Sequence, residues 1–238
     1  MKLILNIVLL LILALCIWGG FKRGLIGGII GVATVFIALF GADLLAGTYS
    51  GELVPALDPF VNGYIDSETN TDAILTRLGY GGTELSLRDI LEQDSSMRYD
   101  YAYECMRSVG FYGALSEDLA TDAVNYSVSS GAELTDAVVL VVCSTVSYVG
   151  CVTVAFIMIL ILLTALIDMV NLDFHLPNID VIDEVAGAAL GFVKGFLYCL
   201  LLCWLLGFLG LLIGKDTCSG TALVSFFQAF RFLTRGLI

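Results

Sequence analysis

Four long apolar runs constrain the fold of this chain more than any other feature. The hydrocarbon core of a bilayer is about 30 Å thick, so a helix needs roughly 20 apolar residues to cross it. The runs Leu3–Phe21, Leu25–Leu45, Ala137–Ile167 and Val185–Ile213 approach or exceed that length and hold few charged residues. The composition agrees, with 58% hydrophobic residues and a mean hydropathy of +0.93. The sequence therefore predicts an all-α integral membrane protein with four transmembrane helices.

The apolar runs divide the chain into four predicted parts. A first transmembrane hairpin occupies residues 1–47, and an acidic insertion follows at residues 48–136. A second hairpin occupies residues 137–213, with a linker at 168–184, and a tail lies at 214–238. In the tail, leucine and phenylalanine recur on one side of a helical pattern and arginine on the other. This pattern predicts an amphipathic helix at the membrane surface.

The basic residues near the runs predict how the chain is oriented. Four crossings place the acidic insertion on one face of the membrane and the first turn and the linker on the other. Lys22, Arg23 and Lys194 are predicted to lie at this second face. Short loops rich in lysine and arginine remain in the cytoplasm. The sequence therefore predicts a multi-pass membrane protein whose residues 48–136 are extracytoplasmic.

Glycine spacing predicts a close contact between transmembrane helices. Small residues four positions apart line one helix face and allow two backbones to approach each other in lipid. The second and fourth runs both carry this spacing, within one chain or across a homo-oligomer. The glycines concerned are Gly24, Gly27, Gly28 and Gly31 in the second run and Gly187, Gly191 and Gly195 in the fourth.

The acidic insertion holds all of the chain's net charge. Residues 48–136 contain 16 Asp and Glu residues against four Arg, a difference of −12, which equals the net charge of the whole chain. An acidic surface argues against nucleic acid or anionic headgroups as partners of this region. Helical periodicity predicts a small helical subdomain. The predicted helices are Glu52–Ile65, Thr71–Tyr80, Ser86–Glu92, Tyr99–Val109 and Ser116–Ser129.

Cysteine positions leave one disulfide open. Five of the seven cysteines lie inside the apolar runs, where a thiol behaves as a small apolar group. Cys105 and Cys218 lie outside them, on the predicted extracytoplasmic face, where oxidising conditions permit a disulfide. The sequence does not establish whether their Cα atoms approach closely enough to form it.

Motifs for metal binding and catalysis are incomplete. Asp66, Glu68, Asn70 and Asp72 alternate as the oxygen ligands of a calcium loop do. The loop then lacks its turn glycine and its final bidentate acid, so a solvated loop is the preferred interpretation. The single histidine, His175, lies in the linker, on the face opposite to any nucleophile of the insertion. We therefore predict no enzymatic activity, no metal and no cofactor.

Three segments of the chain resemble a known protein family. The GFKRG turn of the first hairpin, the segment LPNIDVIDEVAGAALGFVKGFL at residues 176–197 and the aromatic tail resemble the colicin V production protein (CvpA) family of bacterial inner-membrane proteins. The resemblance covers about residues 3–47 and 137–238. It implies four spans with the GFKRG turn in the cytoplasm. Simpler members have a short connection between spans two and three, so the acidic region is an insertion relative to them.

The resemblance also implies a function. The family is associated with colicin V production or export and with envelope homeostasis, and no catalytic chemistry is established for it. We therefore expect a membrane scaffold whose partners are the lipid bilayer and a membrane or extracytoplasmic protein, with no nucleic acid. The alternative is a small transporter or channel subunit acting as an oligomer. In that case Asn6 and Asp43, which are polar residues of the first two runs, would line the pathway.

Overall fold

A computed structural model describes residues 2–69, 71–80, 87–94, 96–111, 114–170 and 180–208. This part of the chain forms helices joined by short connections and contains no strand, so the all-α prediction is confirmed for it. The linker centre at 171–179 and the tail at 214–238, with Cys218, lie outside the described residues, and so does His175. The helices are α1 (Lys2–Glu68), α2 (Thr71–Arg77), α3 (Leu87–Gln93), α4 (Met97–Val109), α5 (Ala114–Ser130), α6 (Leu134–Val170) and α7 (Asp180–Phe208).

Helix α1 is interrupted at Gly24, where the chain reverses direction. Gly24 has φ 69° and ψ −172°, a backbone conformation that only glycine adopts without strain. Before the break, Leu9 packs with Cys199 of α7. After it, Gly31 lies beside Lys194 of the same helix. The segment before Gly24 and the first turns after it therefore both run back along α7.

Three of the described helices are long and apolar enough to cross a membrane. They cover Ile4–Ser67, Leu134–Met169 and Ile182–Leu206. The first of these contains both of the first two runs predicted from the sequence, on either side of Gly24. The chain is therefore a helical protein of the kind that resides in a membrane.

The described residues divide into two compact units. The apolar unit comprises residues 2–48, 149–170 and 180–206, and the acidic unit comprises the described part of residues 49–148. In the apolar unit, Leu9, Cys199, Leu200 and Cys203 form a buried cluster. The Cys199 thiol donates a hydrogen bond to the Leu9 carbonyl at 3.6 Å, which joins the first segment of α1 to α7.

The acidic unit has a core of its own despite its charge. Tyr101 and Met106 of α4 are fully buried, as are Ile74 of α2 and Ile90 of α3. Helix α4 ends at Gly110, whose left-handed conformation lets its N–H bond back to the Met106 carbonyl. These helices lie over the short helical patterns that the sequence predicts, because apolar residues recur at intervals of three and four in each pattern.

Helix α6 contributes to the acidic unit for longer than the predicted boundary at residue 136. Val138 and Val142 are almost completely buried in that unit, which extends to Tyr148. An uncharged helix segment that packs in a soluble core has the same composition as one that faces lipid. For this reason hydropathy alone placed residues 137–148 in the second hairpin.

Candidate functional site

Two helices of the apolar unit touch through small residues. A methyl group added at Gly20 would lie 2.8 Å from the Gly191 Cα, and one added at Gly187 would lie 2.7 Å from the Gly24 carbonyl carbon. One added at Gly195 would lie 2.9 Å from the Cys16 Cβ. These separations leave no room for a side chain, so the backbones themselves are in contact. We call Cys16, Gly20 and Gly24 of α1 with Gly187, Gly191 and Gly195 of α7 the glycine contact.

The glycine contact uses the predicted face of α7 but a different face of α1. The sequence predicted that Gly24, Gly27, Gly28 and Gly31 would pack against a partner helix. Of these, only Gly24 presents its backbone to the glycines of α7, and a methyl group at Gly24 itself would meet the Asp183 carboxylate. A methyl group at Gly28 would meet the Leu190 Cβ at 2.8 Å. Gly27 and Gly31 lie beside the side chains of Arg23 and Lys194, respectively.

Gly20 is the contact residue that sequence reasoning missed. Cys16, Gly20 and Gly24 follow each other at four-residue spacing in the first segment of α1. Cysteine is small enough to take part in such a stripe, but a search restricted to glycine pairs in the second run does not include it. A pattern that counts cysteine among the small residues would have found this face.

Asp183 fixes the reversal at Gly24. Its carboxylate Oδ1 accepts a hydrogen bond of 2.8 Å from the Leu25 N–H, and its side chain is only 2% exposed. Leu25 is the first residue after the break, and its N–H has no partner within its own helix. Asp183 therefore acts as an N-cap supplied by α7, a role normally taken by a residue adjacent in sequence.

Basic residues surround the same end of the apolar unit. The Lys22 Nζ lies 4.5 Å above the ring of Trp18, and the Arg23 Nη2 lies 3.8 Å from the Asp168 Oδ1. The Arg23–Asp168 pair joins the reversal of α1 to the end of α6. The predicted turn and the predicted start of the linker therefore lie at one end of the unit, as two loops on one face of a membrane would.

Lys194 lies in the middle of the long apolar helix α7. It is the thirteenth of the 25 residues of the candidate span Ile182–Leu206, whereas the sequence analysis placed it at the membrane face. Its Nζ lies 5.7 Å from the centre of the Tyr198 ring, and no carboxylate pairs with it among the described residues. A half-buried ammonium group inside an apolar helix is costly, and such residues commonly mark functional positions.

The two polar residues predicted for a transport pathway lie at similar distances along the chain from the reversal at Gly24, one in each segment of α1. Asn6 precedes the break at Gly24 by 18 residues and Asp43 follows it by 19. The Asn6 Oδ1 is buried and has no hydrogen-bond donor among the described residues. Asp43 is partly buried.

The acidic unit holds a buried thiol and a compact charge network. Burial raises the pKa of Cys105 to about 12 and also raises the pKa of Tyr101 above its usual value. Glu104 lies 3.0 Å from the Arg77 guanidinium and 3.6 Å from that of Arg107. The predicted partner of Cys105, Cys218, lies outside the described residues, so their disulfide stays a prediction.

Metal ligands are not grouped in the described part of the chain. No set of three or more His, Cys, Asp or Glu side chains there is arranged to hold a metal ion. Of the alternating oxygen residues considered for calcium, Asn70 lies outside that part, and Asp66 and Glu68 belong to the last turn of α1.

Known proteins do not assign this arrangement to a family. Comparison of the chain with protein-family models, with curated proteins and with solved structures finds no match. The resemblance to the CvpA family therefore stays a hypothesis that depends on the GFKRG turn and the segment at residues 176–197.

Proposed function

We propose that this chain is a four-span, non-enzymatic scaffold of the bacterial inner membrane that displays its acidic unit outside the cytoplasm. The observation that carries the proposal is the return of both segments of α1 along α7 from a capped reversal at Gly24. Such a reversal divides one very long apolar helix into two spans. With α6 and α7, these two segments give the four crossings.

The lengths and the exposed side chains of the helices support four crossings. At a rise of 1.5 Å per residue, residues 2–23, 25–48, 149–169 and 182–206 each extend about 30–40 Å, which matches a bilayer. Large apolar side chains stay exposed along these stretches, including Phe40 at 66% and Met158 at 65%. In water such exposure would be costly, whereas in lipid it contributes to the favourable solvation of the unit.

The different properties of the two units support the role of a scaffold. The apolar unit is fixed by backbone contacts and a buried cap, which are features of static packing. The acidic unit carries most of the charge and has three of its four arginines already paired with Glu104 or Glu133. Its 16 acidic residues against four arginines give it a strongly negative charge, which suits a basic or polar protein partner.

Cysteine labelling tests the proposed orientation. Asp122→Cys and Lys22→Cys replace exposed residues in the acidic unit and at the reversal, in a variant whose native cysteines are replaced. A membrane-impermeant maleimide should label residue 122 in intact spheroplasts and residue 22 only after permeabilisation. If residue 22 alone were labelled in intact spheroplasts, the orientation would be opposite to the one proposed. If both residues were labelled, they would lie on the same side of the membrane, which contradicts the proposal.

The cellular role needs a separate test. If the resemblance to the CvpA family reflects a shared function, the chain should restore colicin V production in a bacterial strain that lacks its own family member. A variant with the acidic unit replaced by a short linker shows whether the apolar unit alone is sufficient for this role. Restoration by both proteins assigns the role to the apolar unit, and failure of the intact, membrane-inserted chain argues against a colicin-related function.

A transporter is the second candidate, and one observation favours it. The buried Asn6 oxygen, which has no donor in the described part of the chain, is a polar group that a bound solute or water could satisfy. In this case reconstituted protein should show flux of a solute that is lost in Asp43→Asn. The absence of flux above that of protein-free liposomes, across a panel of small anions and cations, would leave the scaffold as the better explanation.

A further inference from the structure

Three side chains form a ladder along one side of α4 in the acidic unit. Tyr99, Tyr103 and Arg107 follow each other at four-residue spacing, so they lie one above the other on the helix. The rings of Tyr99 and Tyr103 are stacked, with their centroids 6.2 Å apart and their planes 13° from parallel. The Arg107 guanidinium lies over the Tyr103 ring, 5.8 Å from its centroid. We call these three side chains the tyrosine ladder.

The tyrosine ladder does not belong to the core of the acidic unit. The buried residues of α4, among them Tyr101, Cys105 and Val109, occupy one side of the helix. At 3.6 residues per turn, Tyr99 and Tyr103 point well away from that side. Tyr99 is 38% exposed. The ladder therefore presents an aromatic ring to the surroundings of the acidic unit.

Carboxylates lie near the exposed ring of Tyr99. Glu117 lies in the first turn of α5 and Asp100 follows Tyr99 directly, and both are exposed. Desolvation raises the pKa of Tyr99, and the negative charges of these two carboxylates raise it further, so they lie close enough to act on the ring hydroxyl. A cation placed over the ring would be attracted by its π electrons and by the carboxylates together. An anion would be repelled by the same carboxylates, so these surroundings select a cation.

We propose that Tyr99, with Glu117 and Asp100 beside it, binds an arginine side chain of a partner protein. A guanidinium is planar and weakly hydrated, so it stacks on an aromatic ring more readily than the strongly hydrated ammonium group of lysine. This chain already places one guanidinium, that of Arg107, over the neighbouring ring of the ladder. Within the described residues, no set of three or more His, Cys, Asp or Glu side chains is arranged to hold a metal ion, so a metal is not the preferred cation. The inference names the partner chemistry of the proposed scaffold and rests on the acidic unit being displayed to other proteins.

Peptide binding to the purified full chain tests this site. The probes are two fluorescent, end-capped peptides of equal length and charge, one composed of arginine and glycine and the other of lysine and glycine. Fluorescence anisotropy in a neutral detergent measures the dissociation constant of each peptide. Both peptides are attracted by the negative charge of the unit, but we expect the arginine peptide to bind about two- to fivefold more tightly, the effect of one cation–π contact at an exposed site. Equal affinities would mean that charge alone attracts the peptides, which would overturn the proposal.

Matched variants that leave the net charge unchanged locate the contact. Tyr99→Leu should weaken binding of the arginine peptide about two- to fivefold and remove its advantage over the lysine peptide, whereas Tyr99→Phe should retain binding because the ring remains. Tyr126→Leu is the control, because Tyr126 of α5 is 37% exposed in the same unit. Unchanged affinity in Tyr99→Leu, or an equal loss in Tyr126→Leu, would contradict the proposal. Circular dichroism shows whether each variant keeps its fold.

The result for this site can be separated from the result for the proposed function. The peptide assay uses protein in detergent and does not depend on the orientation in the membrane, whereas maleimide labelling of residue 122 tests the display of the acidic unit. Selective arginine binding, with residue 122 labelled only after permeabilisation, would support the site and refute the proposed display. Labelling of residue 122 in intact spheroplasts, with equal peptide affinities, would support the display and refute the site.

Discussion

The glycine contact predicts that two neighbouring glycines respond in opposite ways to the same substitution. In Gly20→Ala the new methyl group would lie 2.8 Å from the Gly191 Cα and closer still to the Gly187 carbonyl oxygen. Gly19 is adjacent, yet a methyl group there meets no atom within 4 Å. Gly19→Ala is therefore a control with the same change in composition, helix propensity and position along the span.

The size of the effect follows from these distances. Two carbon atoms pack at about 3.5–4.0 Å, so Gly20→Ala requires the two helices to separate by about 1 Å. The backbone atoms opposite cannot rotate away as a side chain would. Overpacking of this kind costs about 1–3 kcal/mol. Gly19→Ala avoids this cost and gains up to about 1 kcal/mol from the better helix propensity of alanine.

Unfolding in mixed micelles measures the difference. Titration with sodium dodecyl sulfate, followed by circular dichroism and tryptophan fluorescence, gives a free energy of unfolding for each variant. We expect Gly20→Ala to be less stable than Gly19→Ala by at least about 1 kcal/mol. Gly191→Ala should match Gly20→Ala, because it meets the Cys16 carbonyl from the other helix. Equal stability of Gly19→Ala and Gly20→Ala would refute backbone contact at this crossing.

Three further predictions concern the cap at the reversal and the buried thiol. Asp183→Ala leaves the Leu25 N–H without its acceptor and should lower the unfolding free energy of the apolar unit by about 1–3 kcal/mol. Asp183→Asn keeps an acceptor oxygen, so its unfolding free energy should fall by less. An equal fall for the two variants in micelle unfolding would show that the charge of Asp183, and not its hydrogen bond, stabilises the unit. The buried Cys105 thiol should resist maleimide at pH 8 and react once the chain is unfolded in detergent without reductant, and failure to react then would indicate a disulfide. Burial raises the pKa of Cys105 from 9.0 to about 12, so its contribution to stability is complete below pH 9 and is lost as the pH rises toward 12. The loss amounts to about 2 kcal/mol of unfolding free energy at pH 10.5. Between pH 8 and 10.5, the stability of a Cys105→Ala variant should therefore decline less steeply than that of the unmodified chain.

The sequence by itself determined the class of the protein and much of its helical pattern. Runs of about 20 apolar residues have few ways to satisfy their backbone groups outside water, so a helical membrane protein follows from composition alone. Helices α2 to α5 were predicted to within a few residues, because an apolar period of three and four residues is a local property. The predicted helix Glu52–Ile65 is instead the continuation of α1, which runs unbroken from Leu25 to Glu68. The sequence also predicted the glycine stripe of α7 at Gly187, Gly191 and Gly195, because the four-residue spacing lies within one helix.

Only the tertiary structure decided which faces meet. The stripe of α7 contacts Cys16, Gly20 and Gly24, whereas the glycines at 27 and 31 accommodate cationic side chains. No local pattern distinguishes a glycine that faces a backbone from one that faces a side chain. The choice depends on the rotation of each helix about its axis, which is set by all of its neighbours together.

The same reason explains the roles of Asp183 and of residues 137–148. Asp183 is separated from Leu25 by 158 positions, so its use as a cap could not be inferred from spacing. Residues 137–148 have the composition of a membrane span, yet they belong to the acidic unit, where Val138 and Val142 are buried. Hydropathy measures the preference of a segment to leave water, and the tertiary structure determines whether protein or lipid receives it.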